Sequence, residues 1–202
     1  MVRRQILAAA LMLGGTALPA LAQSATPTRV RGTIEAVSAD SMTVHARSGD
    51  EVAIKLNNPV AVQAVAKADL ATIGEHSYVG VTTRPGPNDS LIAVEVHVFP
   101  EAMRGAGEGS RPWDLAPGDL MTNGTVTGAV TKTAGRELTV QYKEGSKTLV
   151  VPPQTPIVTF VPAQRADLKP GVKVFVIATE ATDGSLSTGR VLIGKGGVTP
   201  PM

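Results

Sequence analysis

The sequence predicts an all-β protein of two tandem five-stranded barrels, each with a short helix between its third and fourth strands. Three observations carry this expectation. A unit of about 70 residues, the lower end of ordinary domain size, occurs twice. Apolar residues alternate at period two along most of each copy. Turns centred on Gly, Asp or Pro cut each copy into short runs.

The two copies are residues 31–99 and 123–194. Gly32-Thr33-Ile34 aligns with Gly124-Thr125-Val126, Met42-Thr43-Val44 with Leu138-Thr139-Val140, Ala68-Asp69-Leu70 with Ala166-Asp167-Leu168, and Asp89-Ser90-Leu91 with Gly184-Ser185-Leu186. The expected organisation is a leader over 1–22, a first barrel over 29–100, an ordered inter-domain loop over 101–122, a second barrel over 123–195 and a flexible tail over 196–202. The tail, GKGGVTPPM, is rich in Gly and Pro and should fray.

In the first copy, Ile34 and Val37 lie on a first extended run. Met42, Val44 and Ala46 alternate with Thr43, His45 and Arg47, a strand with one buried face. Ser48-Gly49-Asp50 turns the chain into Val52, Ile54 and Leu56, completing a hairpin. The period then changes: Val62, Val65, Ala66 and Leu70 fall at helical spacing, with Gly74 as a stop. Two more strands follow, Tyr78 to Val81 and Leu91 to Val98, joined at Pro87-Asn88-Asp89. The second copy repeats the order with turns at Glu144-Gly145-Ser146 and Thr182-Asp183-Gly184. Three strands, a helix and two strands is the order of an OB-fold, a Greek-key barrel. The alternative is a single sandwich of roughly eight to ten strands sharing one core.

The shared pattern, "ADL" followed by a glycine, a "V.V" strand and "DGSL.A..V", resembles DUF5666, a family of exported bacterial proteins of unknown function. More remotely it is similar to the bacterial OB-fold proteins of the periplasm. The resemblance spans both copies, and its matched positions are core and turn residues. It implies a fold and a compartment and carries over no active site.

The opening MVRRQILAAALMLGGTALPALAQ reads as a secretory leader, with Arg3 and Arg4 before an apolar run from Ile6 to Leu13 and an A-x-A pattern at Ala20 and Ala22. Gly14, Gly15, Thr16 and Pro19 interrupt it before the roughly 20 apolar residues of a membrane span. The arginine pair also resembles a twin-arginine signal, without the usual Ser or Thr before it; general secretion is the first choice. The expected location is the periplasm, with no transmembrane segment in the mature chain. Cleavage after Ala22 removes two of the 19 basic residues and none of the 17 acidic ones, so the mature chain carries equal numbers of each. That balance, with 3% aromatic residues, argues against nucleic acid, which needs a cationic groove and stacking rings. There is no cysteine, which removes disulfides, thiolate chemistry and Cys-ligated metals.

Among the histidines, His45 should face solvent and His76 sits in a turn. His97 differs, because Val94, Val96 and Val98 take the inner face and leave Glu95, His97 and Phe99 on the outer one. Side chains two apart on one strand face lie about 7 Å apart, so Glu95 and His97 form a candidate metal pair, with Glu101 or Glu108 as a further ligand. The competing reading, a solvated face on an edge strand, weighs more, because metal sites need three or four converging ligands. No G-x-S-x-G nucleophile turn occurs. Gly105 to Gly109 lacks the helix of a dinucleotide loop, and "GRVLIGKG" has Gly196 where a phosphate loop needs Ser or Thr. No cofactor is expected, and a non-enzymatic protein is favoured over a metal-handling protein and over a hydrolase.

The segment joining the copies is unlike a spacer. Phe99, Met103, Trp113 and Leu115 are bulky, and Glu101, Arg104, Glu108, Arg111 and Asp114 bring both signs of charge. In one reading Trp113 plugs a gap between the barrels and the charges pair locally. In the sharper one, Trp113 is an apolar floor and Arg104 and Arg111, with Asp114 and Glu101 beside them, meet an envelope protein, glycan or small anion. The two differ on whether Arg104 and Arg111 are free to meet solvent.

Overall fold

The computed structural model describes residues 27–132 and 135–200. The expected leader lies outside the described residues. The described chain is all-β, with strands β1 (Pro27–Val37), β2 (Ser41–Ala46), β3 (Glu51–Lys67), β4 (Tyr78–Pro85), β5 (Leu91–Val98), β6 (Gly109–Pro112), β7 (Leu120–Lys132), β8 (Gly135–Tyr142), β9 (Gly145–Val151), β10 (Ile157–Pro162), β11 (Lys173–Glu180) and β12 (Leu186–Gly194). All twelve belong to one hydrogen-bonded sheet.

Part of that sheet closes on itself. β1, β2 and β3 form successive antiparallel hairpins, β11 pairs with β1, β12 pairs with β11, and β12 runs parallel to β3 from Leu186↔Ile54 to Gly194↔Val65. The result is a five-stranded barrel. Its inner face takes the alternate residues that the sequence offers, among them Ile34, Met42, Val44, Ile54, Val176 and Val191. A second lobe holds β4, β5, β7, β8 and β9, with β4 on β7 and β5 touching β9 through the pair Ile92↔Val150. Its core is Val79, Val81, Val96, Val126, Leu138 and Val140. β10 joins the two, antiparallel to β3 and parallel to β5.

This pairing replaces the expected tandem barrels over 29–100 and 123–195. The barrel takes three strands from the first copy and two from the second. Periodicity alone does not reveal the exchange, because β11 presents Val174, Val176 and Ala178 where β4 would have presented Val79 and Val81. Nor is there one shared sandwich core, since the two apolar clusters are separate and a third, Val65, Trp113, Met121, Val158, Phe160, Phe175 and Leu192, fills the seam between them.

The expected helix after the third strand is also corrected. Val60 to Lys67 continues β3 without a break in secondary structure, and the helical element that follows is the single 3-10 turn Leu70–Thr72, capped by the Asp69 carboxylate accepting from Ala71 N–H at 2.8 Å. β-branched Val60, Val62 and Val65 favour extended backbone, and each half of the strand has a partner to pair with. The extension explains the exchange. A strand of 17 residues spans roughly 55 Å, which carries the chain out of the barrel and starts β4 in the other lobe.

The tail is ordered as far as it is described. Lys195 N–H donates to Val65 C=O at 2.9 Å, Val198 packs on the seam cluster, and Pro200 is buried. No helix among the described residues is long and apolar enough to cross a membrane.

Candidate functional site

The seam gathers nearly all the aromatic side chains of an aromatic-poor chain. Phe160 of β10 stacks on His97 at 5.6 Å between ring centroids and lies 4.9 Å from Phe99, which meets Tyr78 edge-on at 5.3 Å. Phe175 of β11 lies 6.5 Å from Trp113. With three Phe, two Tyr and one Trp in the sequence, only Tyr142 is outside this set. Such concentration marks the seam as the part of the molecule where bulky surface was needed.

The segment between the copies is built into that seam. After a 3-10 turn at Glu101–Met103 it forms β6, whose four residues pair with β7 from Gly109↔Asn123 to Pro112↔Leu120. Gly105, Gly107 and Gly109 all have positive φ, 83°, 57° and 117°, which accounts for the three alternate glycines. A Cβ at Gly107 would stand 3.1 Å from Asn123 Nδ2 and 3.3 Å from Arg111 Nη2. Its absence lets the Arg111 guanidinium lie on the backbone, donating from Nη1 to Gly107 C=O at 2.8 Å. Ala106 C=O accepts from Asn123 Nδ2 at 3.1 Å and from the Tyr78 hydroxyl at 3.3 Å. The segment is paired and hydrogen-bonded into the seam.

The sequence candidates separate once placed. Trp113 is buried, with the Arg29 guanidinium 4.3 Å above its ring. Asp114 accepts from Arg31 Nη1 at 3.0 Å and Nη2 at 2.7 Å, so its charge is used inside the molecule. Arg31 holds the Asp114 carboxyl below the usual range, chiefly by that hydrogen bonding. Arg104 donates to Glu101 at 2.6 and 2.7 Å and to His76 C=O at 2.8 Å, and this pair lowers the Glu101 carboxyl in turn. Trp113, Asp114, Arg104 and Glu101 therefore orient the segment. Arg111 alone of the five lines an opening.

That opening is a cleft of about 300 Å³ between the segment and the barrel wall. Phe99, Phe160, Phe175 and Leu192 make it apolar, and Met103, Ala106 and Gly107 of the segment form one side. Its polar groups are Gln63, Arg111, Asn123 and Arg190. No Asp or Glu lines it, and among the described residues neither Arg111 nor Arg190 has a carboxylate within ion-pair distance. Burial, and then the neighbouring Arg29 charge, push the Arg111 guanidinium below its ordinary value. Asn123 is buried with no hydrogen-bond partner for Oδ1. A larger hollow, about 930 Å³, lies where β3 ends beside the β9–β10 turn and the tail; Lys67 and Asp69 give it one charge of each sign, and it holds no aromatic side chain.

Glu95 and His97 do share the outer face of β5, as the alternation requires, but that face is not solvated and β5 is not an edge. It pairs with β4 on one side and with β10 and β9 on the other. A bulge between Thr82 and Thr83 takes Val94 out of register, so Ala93 joins Val96 and Val98 at the inner face. Both side chains are about 1% exposed. The Thr82 hydroxyl donates to Glu95 Oε1 at 2.7 Å, and burial pushes the Glu95 carboxyl up to about 8 against the pull of that bond and of Arg31 and Arg47. Burial lowers the His97 imidazole to about 4, and its Nε2 has no partner. Among the described residues no group of three or more His, Asp or Glu is placed to hold a metal ion.

Gln63, Asn123, Phe160, Phe175 and Arg190 escaped the sequence reading. Arg190 and Leu192 occupy in the second copy the positions of Glu95 and His97 in the first, and both pairs face the seam; the repeat alignment was the signal that could have found them. Comparison with protein families, curated proteins and solved structures gives no match.

Proposed function

We propose that this is an exported, non-enzymatic binding protein of two OB-like modules that have exchanged their last two strands, acting in the periplasm on an envelope ligand or partner. The ligand enters the cleft between the modules, with the segment joining the two copies as one wall. The observation that carries this reading is the Arg111 guanidinium, held half-buried against Gly107 in an apolar cleft without a carboxylate to neutralise it. Charge left unneutralised in apolar surroundings is costly to the fold alone and is offset when an anion arrives. The resemblance to exported DUF5666 proteins and the leader at the N-terminus support the compartment.

Two measurements test it. Protein recovered from the periplasmic fraction should begin at Gln23; an intact N-terminus at Met1 defeats the export reading. Immobilised mature protein should retain an envelope component that Arg111→Ala releases, and a variant that keeps every component bound by the wild type removes the cleft from the function.

A further inference from the structure

We propose that the cleft takes an amphipathic monocarboxylate, its carboxylate between Arg111 and Arg190 and its hydrocarbon body over Phe99, Phe160 and Phe175. The inference rests on the cleft being the binding site and adds the chemistry of what binds there.

The charge comes first. Arg111 is on β6 and Arg190 on β12, and both line the cleft. Both lack a carboxylate partner among the described residues, although Arg31, Arg84 and Arg104, elsewhere in the same molecule, each meet one with two nitrogens. The guanidinium fork suits a planar carboxylate, and the contrast between paired and unpaired arginines points to a ligand that supplies the missing acceptor.

The rest of the lining limits the body of the ligand. The lining also holds three phenylalanines and Leu192, which favour hydrocarbon over a sugar or a hydrated dianion. Ile177, about half exposed on β11, adds to that apolar lining. Gln63 Nε2 has a methionine sulfur, Met103 Sδ at 3.5 Å, as its acceptor, a weak one that an oxygen would replace with gain. A cleft of this size is at the small end for ligand sites and fits a molecule of about ten non-hydrogen atoms.

Calorimetry on the mature protein with octanoate, 1-octanol, octylammonium and inorganic phosphate tests the assignment. Octanoate should bind, octanol about tenfold more weakly, and octylammonium and phosphate not measurably. Arg111→Ala and Arg190→Ala should each weaken octanoate about tenfold, Arg111→Lys less, and Lys143→Ala, on the exposed turn between β8 and β9 and away from the cleft, not at all. Unfolding midpoints of the variants show whether a loss of binding is a loss of fold, and the exposed Arg190 supplies the test if Arg111→Ala is unstable. Absence of octanoate binding by the folded wild type, or equal affinity for octanol, overturns the ligand class. If an envelope component is nevertheless retained by the wild type and released by Arg111→Ala, the cleft stays the binding site and the monocarboxylate is wrong.

Discussion

Arg31 reaches across from the first strand of the barrel to hold both oxygens of Asp114, at 3.0 and 2.7 Å, in the segment that joins the two copies. Arg29 adds a longer approach to the same carboxylate at 3.8 Å and covers Trp113. Asp114→Ala should therefore loosen the segment as well as lower stability. Because the Asp114 side chain is 41% exposed, the expected loss is about 1 kcal/mol, below that of a buried pair. Urea unfolding gives the stability, and hydrogen exchange at Ala106 to Trp113 should speed up; unchanged exchange would show that the latch has no such role.

Arg84 and Asp119 form a second two-point contact, 3.0 and 2.8 Å, with the opposite asymmetry: the carboxylate is wholly buried and the guanidinium half exposed. Removing the cation leaves a buried anion alone, so Arg84→Ala should lower stability by more than Asp114→Ala does, read as a larger drop in the urea midpoint. Arg84→Ala combined with Asp119→Asn should recover part of that loss. A double variant no more stable than Arg84→Ala would contradict the account.

Glu95 gives a dependence on pH with a definite sign. Burial pushes its carboxyl up to about 8 in the fold from an ordinary value of 4.5, so between those limits the folded chain holds a proton that the unfolded chain has released. Stability contributed by this group is full below about 4.5 and falls as pH rises toward 8, by up to about 1.4 kcal/mol per pH unit. His97, lowered from 6.5 to about 4, acts the other way, and its share is lost as pH falls through that window. From 4.5 to 6.5 the two oppose each other, and above 6.5 Glu95 acts alone. Glu95→Gln should flatten the decline between pH 6.5 and 8, measured by denaturant unfolding at each pH. A slope equal to that of the wild type would place the buried proton elsewhere.

Gly32 and Gly124 occupy the same place in the two copies, and in each a Cβ would run into the backbone carbonyl of the neighbouring strand, His45 C=O in one and Gln141 C=O in the other. Backbone cannot step aside as a side chain end can. Gly32→Ala and Gly124→Ala should each cost about 2–4 kcal/mol. Alanine at Gly49, which has open space but φ of 100°, should cost about 1 kcal/mol. Thermal unfolding of the three variants ranks them, and equal losses would mean that the close approach is unimportant.

Strand positions were legible because period-two alternation sets the inner residues Met42, Val44, Ile54, Val126, Leu138 and Val140 whichever partner they meet. Partner choice was not, since β4 and β11 carry interchangeable alternation. Val62, Val65, Ala66 and Leu70 satisfy helical spacing and also belong to a strand that uses both faces, Val62 toward the barrel and Val65 toward the seam. A two-sided strand has no alternation to read. For the same reason Glu95 and His97 looked solvated: polarity on an outer face says nothing of what covers it. In the site, Arg111 and Trp113 stood out in the sequence by their setting in a Gly-rich stretch, whereas Gln63, Asn123 and Arg190 are ordinary residues that only the seam brings together.

Because β1 closes on β11, with Pro27 opposite Thr179, the first strand of the barrel waits for a partner that the ribosome adds much later. A nascent polypeptide emerging N-terminus first can complete the second lobe while the barrel still lacks β11 and β12. Closure of the barrel is then a late step, and it is slow for its size, because so many pairings span most of the sequence.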